Sequence, residues 1–220
     1  MNSCEQRSVK ILRQDANTIT IANFRHLKQF WLATIPLNGL ESAIYQTQEI
    51  LPESCPACHS QLRFRFRADN PVVLTSQNVL APKREVTLTD IVYSIEGTGL
   101  PAMQFDVISA LLDSLGLSYS FVSLQDRARQ MIYIELSTVN QLRLNLSPRD
   151  RIKLLQAALR QSDRMGMTQM YNLFERNCTS ELFRIIDASV AKRIPATPQF
   201  FINLPTGEFV NAVMAKANID

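Results

Sequence analysis

The sequence predicts an α+β fold in which a mainly antiparallel sheet packs against helices. Two observations lead to this prediction. Segments that alternate apolar and polar residues, as strands do, occur together with segments whose apolar residues recur at helical spacing. The two kinds of segment do not alternate in the strand–helix–strand order that a parallel sheet requires, so neighbouring strands are expected to run antiparallel.

Length and composition indicate an ordinary globular protein. The chain has 220 residues, of which 46% are hydrophobic and 20% charged, a balance that excludes disorder over most of its length. We expect a flexible polar segment over residues 1–16 and a single domain over 17–220. The net charge of +3 is too small to indicate a nucleic-acid partner.

The sequence also bears on membrane and export. It has no run of about 18 apolar residues, the minimum for a transmembrane helix. Its first residues, "MNSCEQRSVKILRQDANT", lack the apolar centre of a signal peptide. We therefore expect no transmembrane segment, and either a cytoplasmic protein or an exported one without its signal.

Strands are predicted from alternation and β-branched residues at 17–24, 61–67, 70–76, 84–97, 131–137 and 141–146. The clearest alternation lies in "LRFRFR". Its period of two places three arginines, Arg63, Arg65 and Arg67, on one side of a strand and the apolar residues on the other. We interpret this as a half-buried strand with a solvated face.

Helices are predicted at 38–50, 100–116, 147–165 and about 178–191. The third has the strongest start signals: Ser147 as N-cap, Pro148 in the first turn and Asp150 favoured by the helix dipole. Its inward stripe is predicted to consist of Ile152, Leu155, Ala158 and Leu159.

Few residues are candidates for chemistry. The chain has two histidines, His26 and His59, and a cysteine, Cys178, where the last predicted helix begins. The unpaired N–H groups of a helix start, with a protonated imidazole nearby, favour a thiolate. Cys178 and His59 are therefore predicted as nucleophile and base. The alternative is that Cys178 only packs, that His59 is a loop residue and that His26 lies on the surface beside Trp31.

The segment "CPACHS" suggests a second chemistry. Cys55 and Cys58 form a Cys-x-x-Cys pair directly before His59, which in the right setting binds metal or exchanges disulfides. A structural zinc site needs four ligands, and no second pair of this kind exists. We expect a disulfide or two free thiols here, no metal and, without a glycine-rich phosphate loop, no cofactor.

Three blocks of the sequence resemble the Lnb N-terminal periplasmic domain family. They are "NTITIANFRH", "CHSQLRFRF" and, most specifically, "YNLFERNCTSELFRIID". The stretches "VYSIEG" and "IYIELSTVNQLRLNLSPRDRIKLLQAAL" between them are also similar to the family. Together the resemblance covers roughly residues 17–190.

That family in turn resembles circularly permuted papain-like hydrolases, in which the histidine strand precedes the Asn-Cys helix. The order of His59 before Asn177 and Cys178 fits. The resemblance implies a permuted papain-like architecture and a thiol hydrolase or acyltransferase that cleaves an amide or ester in a cell-wall peptide, a lipid or a protein, without a cofactor. It also implies a periplasmic or cell-envelope location. A non-catalytic binding or scaffold domain remains the alternative.

The resemblance also assigns roles to residues. Cys178 would be the nucleophile, with its own N–H donating to the oxyanion, and His59 the general base. Glu96 would be the polar residue that orients the base, with Ser94 and Asp90 as alternatives. The neighbouring Asn177 would cap the helix or shape the oxyanion site.

Overall fold

A computed structural model describes residues 6–49, 58–78, 80, 84–99, 115–134, 137–166, 168–172 and 175–190 of the chain. Over these residues it has ten strands and three α-helices. The predicted α+β class is confirmed.

The strands are β1 (Lys10–Gln14), β2 (Thr18–His26), β3 (Gln29–Pro36), β4 (Leu40–Glu49), β5 (Cys58–Phe66), β6 (Val72–Ser76), β7 (Glu85–Leu88), β8 (Asp90–Thr98), β9 (Gly116–Ser123) and β10 (Val139–Arg143). The helices are α1 (Leu124–Ala128), α2 (Pro148–Met165) and α3 (Cys178–Ser189). A 3₁₀ turn (Leu37–Gly39) precedes β4, and a π-helical turn (Arg129–Ile134) follows α1.

All ten described strands belong to one sheet. Its order is β10-β4-β5-β8-β9-β2-β3-β6-β7, and β1 also pairs with β2. The contact between β2 and β9 is parallel, and the other strand pairs are antiparallel. The expectation of a mainly antiparallel sheet is confirmed.

Helices α2 and α3 cover one side of this sheet, which we call the helical face. The ring of Tyr45 on β4 stacks on Phe183 of α3, with centroids 5.8 Å apart. The hydroxyl of Tyr93 on β8 donates to Gln161 of α2 over 2.8 Å. Because side chains alternate along a strand, the intervening residues point to the opposite side, which we call the polar face. Its buried or half-buried members include Gln46, Gln48, His59, Gln61, Ser94 and Glu96.

Helix α2 starts as predicted. The side chain of Ser147 accepts a hydrogen bond from the main-chain N–H of Asp150, and Pro148 lies in the first turn. Three of the four residues predicted to face inward are buried, and the fourth, Ile152, is partly buried against the core. The strands predicted at 17–24, 61–67, 70–76 and 84–97 and the helix predicted near 178–191 are also present.

Two predicted elements are wrong. The helix predicted at 38–50 is strand β4, which lies inside the sheet and has both faces covered, so its apolar residues do not alternate. The strand predicted at 131–137 begins instead with the π-helical turn, because Met131 turns inward and its sulfur accepts a hydrogen bond from Gln61. The helix predicted at 100–116 falls mostly on residues outside those described.

The flexibility of residues 1–16 stays a prediction, although Lys10–Gln14 form a strand. Strand β1 pairs with β2, and Val9 is fully buried, its N–H donating to Ser162 of α2 over 3.0 Å. An edge strand with polar side chains resembles a loose segment in sequence. That the remainder forms one domain stays a prediction.

His26 is not a surface residue. It is buried, its Nδ1 lies 2.9 Å from the hydroxyl of Ser123, and its ring meets the edge of Trp31 as the sequence suggested.

Candidate active site

The first turn of α3 is held by reciprocal capping. The side-chain oxygen of Asn177 accepts hydrogen bonds from the N–H groups of Thr179 and Ser180, both over 2.9 Å. The hydroxyl of Ser180 in turn accepts from the N–H of Asn177, which completes a capping box. Asn177 is therefore a helix cap, and Cys178 is the first residue of the helix.

Replacing Asn177 by alanine is expected to destabilise the protein by about 1–2 kcal/mol, because two buried N–H groups lose their acceptor. Urea denaturation measures the change. The matched control is Ser147→Ala, which removes the exposed cap of α2 and should cost less. A smaller loss at Asn177 than at Ser147 would contradict the capping account.

The thiol of Cys178 lies against strand β5. The main-chain N–H groups of Ser60 and Thr179 favour its ionised form, and the Thr179 hydroxyl lies 3.9 Å from the sulfur. Cys178 is however only 2% exposed, and burial outweighs these bonds and raises its pKa. The N–H groups of the helix start thus favour a thiolate as expected, but they do not overcome burial, and Cys178 is a neutral thiol in the resting state.

His59, on β5, is connected to two of the three residues that the sequence offered as its partner. Its Nε2 lies 2.8 Å from the hydroxyl of Ser94 on β8, and that hydroxyl donates to Glu96 over 2.9 Å. The third candidate, Asp90, lies elsewhere and pairs with Arg63 over 2.8 Å. Ser94 therefore stands between His59 and Glu96.

Glu96 is held by an arginine that sequence reasoning missed. Nη1 of Arg127, on α1, lies 2.9 Å from Glu96 Oε1, and the side-chain amide of Gln6 donates to Oε2. Burial alone would raise the pKa of Glu96, but the charge of Arg127 and the hydrogen bonds from Ser94 and Gln6 lower it below its ordinary value. Glu96 is therefore a carboxylate at neutral pH.

In contrast to Glu96, His59 is held in its uncharged form. Burial is the main cause that lowers its pKa to about 3, the positive charge of Arg127 adds to this effect, and Glu96 opposes it. At neutral pH the imidazole is uncharged, as a general base must be.

The lowered pKa of His59 predicts that acid destabilises the fold. Unfolded His59 gains a proton near its ordinary pKa of 6.5, whereas folded His59 does so only near 3. Between about pH 6.5 and pH 3 the unfolded state therefore binds more protons than the folded state. The free energy of unfolding accordingly decreases as the pH is lowered, by up to about 1.4 kcal/mol per pH unit. Urea denaturation from pH 7 to 4 should give a shallower slope for His59→Gln than for wild type.

The control for this pH series is His26→Gln, because burial also lowers the pKa of His26. The two variants should each remove a separate part of the slope. Equal slopes in wild type and His59→Gln would contradict the burial of a neutral His59.

Cys178 and His59 approach the same end of β5. The register between β5 and β8 stops at the pair Gln61–Ser94, whereas β4 follows β5 further. Ser60, whose N–H faces the thiol, is the residue next to His59. The direct contact between sulfur and imidazole stays a prediction.

The surroundings of this site are polar and were not predicted. Arg127 donates to Gln61 over 2.6 Å and to Gln48 over 3.3 Å. Glu96 and Arg127 also line a shallow pocket with Gln6 and Arg25. Glutamines at a period of two in strands normally indicate a solvated face. The covering by α1, a five-residue helix, gave no signal in the sequence.

Among the residues that the structure describes, no three His, Cys, Asp or Glu side chains could together hold a metal ion. Cys55 and the side chain of Cys58 lie outside this part of the chain, and so do the predictions made for them.

Comparisons with known proteins point to one family. In the described part of the chain no helix has the length and apolar character needed to span a membrane, and nothing there indicates nucleic-acid binding. No curated protein and no solved structure matches the chain. The model of the Lnb N-terminal periplasmic domain family matches residues 27–205, which is most of the chain, and the protein therefore belongs to this family.

Proposed function

We propose that the protein is a thiol hydrolase or acyltransferase that acts on an amide or ester bond, with Cys178 as nucleophile and His59 as general base. The observation that carries the proposal is the chain of contacts from His59 through Ser94 and Glu96 to Arg127. A neutral histidine linked through Ser94 to a buried carboxylate, and a cysteine at a helix start, are the groups that nucleophilic catalysis by a thiol needs.

Because Cys178 is a neutral thiol at rest, the proposed reaction requires removal of its proton. His59 takes the thiol proton as the sulfur attacks the carbonyl carbon, and the N–H of Cys178 donates to the oxyanion. The bond to the leaving group breaks, the leaving group takes the proton from His59, and the acyl group remains on Cys178 as a thioester. Water, or an amine or alcohol, then attacks the thioester and restores the thiol. No cofactor takes part.

We place the contact between the Cys178 thiol and the His59 imidazole at the end of β5 that contains Ser60. The pairing of β5 with β8 ends at Gln61 and Ser94, and we place a gap between the polar face and the helical face beyond this pair. We propose that the sulfur of Cys178 and the ring of His59 come within about 4 Å of each other across this gap. The sheet with α3 against its helical face would then be a circularly permuted papain-like architecture.

Location and substrate follow from the family. Its description is that of a periplasmic domain, and we propose that this chain acts in the periplasm or the cell envelope. Cell-wall peptides, lipid esters and protein amides are the substrates available there.

Capture of the acyl-enzyme tests the proposal. The protein is mixed with chromogenic acyl esters and anilides of different chain length, and its intact mass is followed. We expect one acyl group on wild type, located on Cys178 by peptide mapping, and none on Cys178→Ala. His59→Gln should slow acylation by about 10²–10⁴, whereas His26→Gln, which changes the other buried histidine, should not. Acylation of Cys178→Ala at the wild-type rate would disprove the proposal.

A non-catalytic binding domain is the second candidate, and one observation favours it. Cys178 is almost completely buried and its thiol is neutral, as expected for a packing residue. On this account no acyl donor modifies the protein, and iodoacetamide reacts with Cys178 only after unfolding.

A further inference from the structure

The hydrogen bonds around Glu96 have a fixed direction. Glu96 receives contacts from Ser94, Gln6 and Arg127, and an ionised carboxylate can only accept. The one hydroxyl hydrogen of Ser94 is therefore used on Glu96. The contact between Ser94 and His59, 2.8 Å long, then needs its hydrogen from Nε2 of His59.

This direction determines the tautomer of His59. A neutral imidazole carries one hydrogen, and here it lies on Nε2. The lone pair, and with it the basic character of the ring, is on Nδ1.

Arg127 anchors Glu96, from which the series of contacts continues through Ser94 to His59. It is 3% exposed, and its guanidinium contacts three side chains: Glu96 through Nη1 at 2.9 Å, Gln61 through Nε at 2.6 Å and Gln48 through Nη2 at 3.3 Å. Gln61, whose oxygen is taken by Arg127, turns its amide nitrogen to Gln46 over 2.9 Å. Two nitrogens of the planar fork, Nε and Nη2, are thus hydrogen-bonded to side chains of the sheet, while Nη1 makes an ion pair with Glu96 that lacks hydrogen-bond geometry.

We infer that Arg127 is the positioning residue of the site: by holding Glu96 as a carboxylate it fixes His59 in the Nε2–H tautomer and leaves Nδ1 as the base. That Nδ1 receives the proton of Cys178 rests on the proposed function. The tautomer and the role of Arg127 in setting it do not.

Arg127 has a second effect on the same ring. Its charge, after burial, lowers the pKa of His59, and Glu96 on β8 acts against it. On α3, Cys178 is a neutral thiol, because burial raises its pKa, and it adds no charge. Removing the charge of Arg127 therefore raises the pKa of His59 and also releases Glu96 to take up a proton.

Nuclear magnetic resonance of histidine labelled with ¹⁵N tests the inference on the full chain without any substrate. In wild type we expect His59 to carry its proton on Nε2 and none on Nδ1, from pH 8 down to about pH 4. His26, assigned by its own variant, is the reference in the same spectrum. A proton on Nδ1 of wild-type His59, or a charged ring at pH 7, overturns the inference.

Two substitutions test the role of Arg127 itself. Arg127→Gln should lose the single tautomer and shift the pKa of His59 upward, whereas Arg127→Lys, which keeps the charge, should retain both properties. An unchanged tautomer and pKa in folded Arg127→Gln overturns the role. If Arg127→Gln does not fold, Arg127→Lys provides the test. A mixture of the two His59 tautomers in Arg127→Lys would contradict control of the tautomer by the positive charge at this position.

The same samples separate this inference from the proposed function. An Nε2–H tautomer in a protein that forms no acyl adduct on Cys178 disproves the enzyme and leaves the positioning role. An adduct on Cys178 together with the other tautomer overturns the positioning role alone.

Discussion

Replacing Cys178 by serine is expected to lower the rate of acylation at least about 1,000-fold. A serine hydroxyl is a far weaker acid than a thiol and a weaker nucleophile at neutral pH. The measurement is kcat/KM with the acyl ester that modifies wild type fastest. The fold should lose about 1 kcal/mol or less, because the Ser60 N–H and the Thr179 hydroxyl lie where the new hydroxyl needs partners.

The matched control for this variant is Ser189→Ala at the other end of α3. Ser189 is also small, polar and buried, and its replacement should leave the acylation rate unchanged. A Cys178→Ser protein that acylates as fast as wild type would make Cys178 a packing residue. Thermal melts of both variants exclude unfolding as the cause of any loss.

Removing the carboxylate of Glu96 is expected to produce the largest loss of stability. In Glu96→Ala the buried guanidinium of Arg127 has no counter-charge, and breaking a buried pair in this way costs about 3–5 kcal/mol. Glu96→Gln keeps an oxygen acceptor and should cost less. Urea denaturation at pH 7 gives both values.

The pair of Arg67 and Asp69 provides the comparison. Both side chains are at least half exposed, and Asp69→Ala should therefore change stability by less than about 1 kcal/mol. A similar, small loss for Glu96→Ala would contradict the structural importance of the buried pair.

The sequence predicted those parts of the fold that depend on neighbouring residues. Helix α2 was found because its cap, its proline and its apolar stripe lie within 18 residues. Strand β4 was mistaken for a helix because its pairing with β10 and β5 and its packing against α3 involve residues that are distant in the sequence. Strands β3 and β9 were not predicted, although β9 lies at the centre of the sheet. Its residues are buried without alternation.

The residues of the candidate site also differ in whether the sequence could predict them. Cys178 and His59 were chosen from residue type and position, and Ser94 and Glu96 were among the named partners. Arg127 could not be found, because its role depends on how α1 lies over the polar face. The raised pKa of Cys178 also depends on burial, which a helix start alone does not reveal.

The order of strands in the sheet has a consequence for the speed of folding. One half of the sheet contains β2, β3, β6 and β7, the other β10, β4, β5, β8 and β9, and the chain crosses between them after β3, β5 and β7. Among the described strands, the only pairing between the two halves is that of β2 with β9, through Arg25 and Val122. Neither half of the sheet can be completed from a continuous piece of chain. Many strand pairs therefore close long loops, and the entropy of loop closure is lost before the pairing stabilises the fold. Such a topology folds in milliseconds to seconds rather than microseconds, and we expect the apolar strands of the first hairpin to be exposed until β9 arrives.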